Sequence, residues 1–500
     1  MGVKSVLAKP FANVIWRRIQ RWSAEAERTQ EFWFHKLITE GKKTAFGKDH
    51  AFHEIASYED FVKKVPLLNY EDFIPYIERI KNGEENILWK GKPIYFAKSS
   101  GTTAGVKYIP ITKDSIPNHI DSARNALLMY IAETGKTDFV NGKMIFLSGS
   151  PELEKINGIL VGRLSGIVNH HVPRYLRGNQ LPTFETNCIE DWEQKVEKIV
   201  EETMKEDMSL ISGIPPWIQM YFEKLLEKTG RQTIKEIFPN FSLLVYGGVN
   251  FEPYRAKLFS TIGEKIDSIE TYPASEGFIA FQDSQKEEGL LLNVDSGIFF
   301  EFVPASEIFA ENPTRLQLKD VEVGINYALV LSSNAGLWSY VIGDTVKFVS
   351  KKPYRIVVTG RTKHFISAFG EHVIQEEVEQ ALMKAAHEEN LEVIEFTVAP
   401  QVNPSNGELP YHEWFVEFAS TPGDMNAIRM KADQNLRVKN IYYNDLITGN
   451  ILQPLKITLL QKDGFRNYMK SVGKLGGQNK VPRLSNNRQI ADALIPFTIA

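Results

Sequence analysis

The sequence predicts an α/β protein with a smaller α+β unit at its carboxyl end, and three observations predict it. Ser242 to Gly248 (S-L-L-V-Y-G-G) has the form of a buried strand ending in a Gly-Gly turn, after which Glu252-Pro253-Tyr254 opens a helix holding Leu258 and Phe259. Ile266 to Gly277 (I-D-S-I-E-T-Y-P-A-S-E-G) repeats the format, with polar Thr271, Ser275 and Glu276 gathered at the strand end. Strand, glycine turn and helix in that order form the ligand edge of an α/β sheet, because backbone N–H groups at the strand's carboxyl end face a crevice. Third, the pattern changes after residue 359. A helix from Glu371 to Ala386, strands Val393 to Ala399 and Trp414 to Ala419, a helix from Asp424 to Val438 and a strand Lys456 to Gln461 make a small unit of their own. The expected domains are residues 1–359 and 360–500.

Length and composition bound the rest. At about 150 residues per domain, 500 residues imply two to four domains. With 43% apolar and 24% charged residues and a net charge of −4, the chain has the composition of an ordinary soluble protein. A nucleic-acid binder would be basic overall, so none is expected as partner. Cys188 is the only cysteine, which rules out an intrachain disulfide and suits a reducing compartment. The opening M-G-V-K-S-V has Val6 where a myristoylation signal has Ser or Thr, no signal-peptide core follows, and no apolar run approaches the ~18 residues of a membrane span. A cytoplasmic location is expected. From Val3 to Trp22, Phe11, Val14, Ile15, Trp16, Ile19 and Trp22 are interleaved with Arg17, Arg18 and Arg21. This reads as a packing helix with a solvated face, the alternative being a basic membrane-surface helix.

In chain order, residues 12 to 82 read as helices broken by polar turns, among them Glu31 to Glu40 and Tyr70 to Ile80. Phe96 to Thr112 (F-A-K-S-S-G-T-T-A-G-V-K-Y-I-P-I-T) follows, its small and hydroxylic centre reading as a loop whose N–H and hydroxyl donors suit a phosphate. The P-loop template does not fit it: counted from Gly101, Lys107 is in place, but Val106 and Tyr108 stand where Gly and Ser or Thr are needed. Ser115 to Glu133 has helical spacing, and Lys143 to Ser148 reads as a buried strand. His170 and His171 are adjacent, which rarely serves one ion, and no H-E-x-x-H or paired-cysteine spacing occurs, so no transition-metal site is expected. A helix is expected from Trp192 to Met208, then Ser209 to Gly213, the turn Pro215-Pro216 and a helix through Trp217, Tyr221 and Leu225. From Phe278 to Val349 the chain is strand-rich, with runs at Gly297 to Val303, Asn326 to Ser332 and Ser339 to Val349, and Tyr354 to Thr359 follows. Gly360-Arg361-Thr362-Lys363 reads as a polar break, which makes Arg361 a hinge or interdomain residue.

Five segments in this order carry a resemblance: S-S-G-T-T-A-G-V-K at 99–107, Y-G-G-V-N-F-E-P-Y at 246–254, T-Y-P-A-S-E-G at 271–277, Y-V-I-G-D-T-V-K-F at 340–348 and Q-N-K-V-P-R at 478–483. Together they resemble the motifs of the auxin-responsive acyl-acid amido synthetases, the plant indoleacetate- and jasmonate-conjugating enzymes and their bacterial relatives, within the adenylate-forming superfamily. The chain departs from the plant pattern at Pro273-Ala274 and at Trp338-Ser339-Tyr340. The resemblance implies the adenylate-forming fold, a large N-terminal domain of sheets, helices and a β-barrel-like part followed by a small mobile C-terminal domain. It implies a ligase that uses ATP and Mg²⁺ to turn a small carboxylic acid into an acyl-adenylate and pyrophosphate, and then passes the acyl group to an amine such as an amino acid.

Carried over position by position, it implies that Ser99, Ser100, Gly101, Thr102 and Thr103 hold the triphosphate. Gly247 and Gly248 would let backbone approach the adenine, with Tyr272 beside the base. Thr271 and Ser275 would contact the α-phosphate region, Glu276 would hold Mg²⁺, and Asp344 would accept ribose hydroxyls. Lys480 would bridge carboxylate and α-phosphate as a flexible point charge. The Gly-rich stretch around Lys474 to Lys480, within the tail Gly473 to Arg483, motivates the expectation that residues 360–500 act as a lid, admitting Lys480 for adenylation, withdrawing it for conjugation and keeping water from the adenylate. The acyl pocket is expected near residues 115–133, 160–175 and 212–219, and the chain is taken to act as a monomer. An acid–thiol ligase using coenzyme A shares the first half-reaction, and a nucleotide-binding protein without turnover is the competitor of another class.

Overall fold

The computed structural model describes residues 3–102, 105–172, 177–189, 191–249, 251–362, 365–371, 373–472 and 481–499. The chain divides into two compact units, one of Met1–Ser99, Lys107–Glu190 and Gln194–Thr362, the other of Ser100–Val106, Asp191–Glu193 and Lys363–Ala500.

The first unit opens with helices. They are α1 (Val3–Ala24), α2 (Ala26–Gly41), α3 (Tyr58–Lys64) and α4 (Tyr70–Lys81). Helix α3 starts at a capping box formed by Ser57 and Asp60, which satisfies two otherwise orphaned N–H groups. Strands β1 (Tyr95–Thr102) and β2 (Gly105–Ile111) follow, with Ser100–Val106 at their ends counted to the second unit, then α5 (Ile116–Thr134). The hydroxylic segment expected as a loop is therefore strand in its backbone from Ser99 to Thr102. Cross-strand pairing supplies here what the small residues lack in intrinsic strand preference. With β4 (Glu154–Ile156) and β5 (Ile159–Arg163), β1 and β2 form a four-stranded sheet in the order β2-β1-β5-β4.

The larger sheet carries the site. Its parallel half consists of β3 (Lys143–Phe146), β6 (Gln180–Leu181), β7 (Met208–Gly213), β8 (Leu243–Gly247) and β9 (Asp267–Ala274). Its antiparallel half adds β10 (Gly277–Phe281), β11 (Leu290–Leu292), β12 (Ile298–Pro304), β13 (Asn326–Ser333), β14 (Tyr340–Lys351) and β15 (Tyr354–Arg361). The full order is β12-β13-β14-β15-β11-β10-β9-β8-β7-β3-β6. Helix α6 (Trp192–Thr203) stops short of Met208, which opens β7 instead. Helices α7 (Pro215–Thr229) and α8 (Glu252–Ile262) each start with proline in the first turn, where its missing N–H costs nothing. Strand β15 runs through Gly360 to Arg361 rather than breaking at Gly360, because both residues pair with β14, Gly360 opposite Thr345 and Arg361 opposite Asp344.

Strands β9 and β14 lie four places apart in this order, which in a flat sheet is about 19 Å at ~4.8 Å per strand. The Tyr272 hydroxyl on β9 nevertheless donates to Asp344 Oδ2 on β14 at 2.5 Å. The antiparallel half must curl back on itself, and register shifts in the β9–β10, β13–β14 and β14–β15 pairings supply the bends. The strand-rich region from Phe278 to Val349 lies in this curled half.

A buried ion pair fixes the entry to β14. Arg315 donates through Nε and Nη2 to Glu301 Oε1 at 2.9 and 2.6 Å, through Nη1 to the Val65 carbonyl at 2.6 Å, and through Nη2 to Ser339 Oγ at 2.6 Å. The Tyr58 hydroxyl donates to the same Glu301 oxygen at 2.9 Å. Ser339 has φ +40° and is held in that left-handed conformation by these bonds and by the Leu68 N–H donating to its carbonyl at 3.0 Å.

The second unit contains the short strands β16 (Phe365–Ile366) and β17 (Val373–Ile374), the helix α9 (Gln375–Glu388) and the sheet β18-β19-β20. Strands β18 (Val393–Gln401) and β19 (Tyr411–Phe418) are antiparallel, and β20 (Lys456–Leu459) joins in parallel. Helix α10 (Met425–Lys439) packs on α9. The helix expected from Glu371 begins only at Gln375, since Val373 and Ile374 pair with β16 and the Glu371 carboxylate accepts from the Phe369 N–H and pairs with buried His412 at 2.8 Å.

Truncating Arg315 strands the buried Glu301 charge. Arg315→Met is expected to lower stability by about 3–5 kcal/mol in urea unfolding, and the Arg315→Met/Glu301→Leu double variant to recover most of that loss.

Candidate active site

The carboxyl ends of β7, β8 and β9 form one edge, and the sheet changes from parallel to antiparallel at β9. Three features shape that edge. A Cβ on Gly247 would overlap the carbonyl oxygen of Thr271, its register partner, so β8 and β9 can close only around glycine. Gly248 has φ +83°, which turns the chain away from the sheet. Ser275 and Glu276 make the turn joining β9 to β10, where Ala274 pairs with Gly277.

That turn is held from behind. Asn118 on α5 accepts the Phe278 N–H on Oδ1 at 2.6 Å and donates from Nδ2 to the Phe278 carbonyl at 3.3 Å, while Asn293 Nδ2 donates to the same carbonyl at 3.1 Å. Glu276 is thereby buried at a fixed place. Desolvation raises its pKa, against the attraction of Lys107 and Arg361.

Asp344, also buried, is the second carboxylate. It follows Gly343, whose φ is +93°. Its Oδ2 accepts from Tyr272 and its Oδ1 faces Arg361 Nε at 2.6 Å, which leaves roughly one further acceptor position on each oxygen. Burial pushes the Arg361 pKa down, but Asp344, Tyr272 and Glu276 outweigh it and hold the guanidinium firmly protonated. Burial, together with the Asp344 charge, lifts the Tyr272 phenol well above its ordinary range, so the ring stays neutral.

Lys107 on β2 completes the set. Its ammonium donates to the Tyr340 hydroxyl at 3.4 Å and lies 5.7 Å from the centre of the Tyr70 ring. Desolvation lowers its pKa, opposed by Glu276 and Asp344 and reinforced by Arg361. Tyr70 in turn accepts the Tyr108 N–H at 2.7 Å, tying β2 to the start of α4. Two carboxylates and two cations thus share one partly desolvated space, as in sites that position charged substrates.

Of the residues expected from sequence, Glu276, Tyr272 and Asp344 meet here, with Thr271, Ser275, Gly247 and Gly248 on the same strand ends. The single Thr271 hydroxyl proton is committed to the Tyr246 carbonyl at 3.0 Å. Ser99 is half-buried on β1. Only the backbone of Ser100, Gly101 and Thr102 is described, and Thr103 and Lys480 lie outside the described residues, as does most of Gly473 to Arg483. Sequence reasoning missed Arg361 and Lys107. Locally, Arg361 reads as part of a polar break after Gly360, and Lys107 has no P-loop around it. The signal for Lys107 was its position inside the resembling segment.

A Mg²⁺ ion is commonly held by one or two carboxylates together with substrate phosphate oxygens. Glu276, a buried carboxylate with incompletely compensated charge, fits such a donor, while the charge of Asp344 is already matched by Arg361. Among the described residues no cluster of three or more His, Cys, Asp or Glu could bind a metal without further ligands.

Models of the GH3 family N-terminal, central and C-terminal domains match residues 15–183, 291–361 and 376–489. The chain belongs to the GH3 family. Relatives include the jasmonoyl--L-amino acid synthetase JAR4 of Nicotiana attenuata, 24% identical over 77% of this chain and 78% of that one. The indole-3-acetic acid-amido synthetase GH3.3 of Arabidopsis thaliana is 21% identical over 96% of this chain and 92% of that one. In fold the chain is similar to the GH3.15 acyl acid amido synthetase in complex with 2,4-DB, with TM-score 0.62 and 15% identity over 98% of this chain and 96% of that one. It is similar too to a 2-hydroxyisobutyryl-CoA ligase, with TM-score 0.56 and 12% identity over 97% of this chain and 92% of that one. As a GH3 protein this chain is a ligase with the adenylate-forming fold.

The raised pKa of Glu276 has a stability signature. Below its unfolded value of 4.5 the group is protonated in both states and costs nothing. As pH climbs, only the unfolded chain ionises freely, so folding carries a penalty that grows until the raised folded value is passed. Glu276→Gln is therefore expected to unfold at higher denaturant than the unsubstituted protein at pH 8, the two curves converging below pH 4.5.

Proposed function

We propose that the protein is an ATP-dependent acyl-acid amido synthetase. The observation that carries this reading is the convergence of Glu276, Tyr272, Asp344, Arg361 and Lys107 at the carboxyl edge of β9, the place where an α/β sheet binds a nucleotide. Its relatives' names, and the motif order in its sequence, support the same activity.

A carboxylate oxygen of the acid attacks the α-phosphorus of ATP, the bond to the pyrophosphate oxygen breaks, and an acyl-adenylate forms. The nitrogen of an amine then attacks the activated carbonyl, the C–N bond forms, AMP leaves with the electron pair of the C–O bond, and the amine proton passes to solvent. Both reactants of the first step are anions, so the protein's task is neutralisation and alignment. Lys107 and Arg361 offer fixed positive charge. Glu276 would hold Mg²⁺, which neutralises phosphate charge when bound. Asp344, oriented by Tyr272 and Arg361, keeps an acceptor position for the ribose hydroxyls, and Gly247 and Gly248 open room for the base beside Tyr272. Ser99, Ser100, Gly101, Thr102, Thr103 and Ser275 would contact phosphate oxygens, and Thr271 could do so only by releasing Tyr246. The role of Lys480, bridging acid and α-phosphate, rests on the resemblance alone.

The decisive experiment is pyrophosphate–ATP exchange with a library of carboxylic acids, followed by amino acids or coenzyme A as acceptor. At least one acid should drive exchange, and amide product should form with an amino acid. If none does, the protein is no acid-activating enzyme; thioester formation alone would make it an acid–thiol ligase. Lys480→Ala is expected to lower exchange by about 10²–10³-fold, the usual effect of removing a donor that acts on developing charge, and unchanged exchange would remove Lys480 from the mechanism.

A further inference from the structure

Helix α1 has two faces, and the reading above uses neither. Its inner face, Ala12, Ile15, Ile19 and Trp22, is buried and packs on α5. Its start is pinned: Ser5 Oγ donates to the Thr137 carbonyl at 3.3 Å and accepts from Asn141 Nδ2 at 2.6 Å. The helix therefore presents its other side in a fixed orientation.

That outer side is divided along its length. At about 100° per residue, Val6, Leu7, Pro10, Val14, Arg17, Arg18 and Arg21 fall within an arc of roughly 120°. In the amino-terminal half the arc is apolar and open to solvent, Val6 being 57% exposed, Leu7 65% and Val14 62%. In the carboxyl-terminal half it is cationic, and among the described residues no ion pair involves Arg17, Arg18 or Arg21. The first 24 residues contain five Lys or Arg and no Asp or Glu, in a chain whose net charge is −4. This local excess of positive charge is confined to the helix that also carries the exposed aliphatic residues.

We infer that the outer face of α1 docks the protein on an anionic lipid surface. The aliphatic half enters the headgroup and acyl boundary, and the three arginines lie along the phosphates. Each basic residue near such a surface strengthens partitioning by roughly fivefold, and this part of the attraction is screened by salt. A second copy of the chain is a poor occupant, since a two-fold pairing of this helix sets each cationic half against either a cationic or an aliphatic half and supplies no anion for the arginines. No helix of the described residues is long and apolar enough to cross a membrane, so the association is peripheral.

The test is sedimentation of the full chain with sucrose-loaded vesicles of phosphatidylcholine alone and of phosphatidylcholine with about a third phosphatidylglycerol, at low and high salt. The protein should pellet with the anionic vesicles, remain in the supernatant with the neutral ones, and be released by salt. Leu7→Glu/Val14→Glu and Arg17→Gln/Arg18→Gln/Arg21→Gln should each lower the vesicle partition coefficient at least tenfold. Their circular dichroism and unfolding midpoint should stay as in the parent protein, because all five side chains are exposed. Failure of the parent protein to pellet with anionic vesicles, equal pelleting with neutral ones, or unimpaired binding by both folded variants would each overturn the inference. So would a doubled mass in light scattering that both variants abolish, which would assign the face to a second copy.

Discussion

A buried carboxylate needs a donor and a cation within hydrogen-bond distance, and Asp344 finds them on two different strands. Tyr272 reaches it from β9 and Arg361 from β15. Because β9 and β14 are four strands apart, satisfying Asp344 and curling the antiparallel half of the sheet are one event. The same closure brings β14 to the carboxyl edge of the parallel strands, where the glycine turns of β8 and β9 lie. Without the curl, Asp344 would have no Tyr272 and the strand ends would face nothing.

Within that closed edge the charges are not balanced for stability. Burial disfavours the ionised forms of both Glu276 and Lys107, and neither fully rescues the other. A neutral pair of similar volume would fold at least as well. Groups held against their own solvation energy are those expected where a charged ligand adds a further partner. Asp344 and Arg361, by contrast, are mutually satisfied and hold position. The site thus holds two carboxylates in different settings, Asp344 ion-paired with Arg361 and Glu276 beside the Tyr340 hydroxyl with its charge incompletely matched.

Much of this was legible in the chain, and what was not follows a physical pattern. The strand and glycine-turn format located β8 and β9 because a buried strand has a local signature. The grouping of Thr271, Ser275 and Glu276 needed no knowledge of distant residues. The polar break expected from Gly360 is strand as far as Arg361, because β15 continues past Gly360 through pairing with β14, a partner the local sequence does not reveal. The hydroxylic segment from Ser99 to Thr102 reads locally as a loop and is strand in β1, which lies between β2 and β5. Helix α1 was read as packing with a basic surface alternative; its spacing marks one apolar face, but only the packing on α5 shows which aliphatic residues are left outside.

The lead into the Gly-Asp pair, Trp338-Ser339-Tyr340, can be explained residue by residue. Trp338 is fully buried, donates from Nε1 to the Leu88 carbonyl at 3.1 Å and packs edge-on against Phe52 at 4.8 Å, so it anchors the strand entry to the helical layer. Gly41 leaves room for it, since a Cβ there would lie 2.7 Å from the indole. Ser339 takes the left-handed conformation, and the hydroxyl that a glycine would lack is what Arg315 and Glu301 grip. That turn sends Tyr340 toward Lys107 and starts β14 in the register that puts Asp344 opposite Arg361. The lead is therefore structural at Trp338, conformational at Ser339 and part of the site at Tyr340, and the ion pair of Arg315 with Glu301 links the packing of the helices to the position of the site's cation.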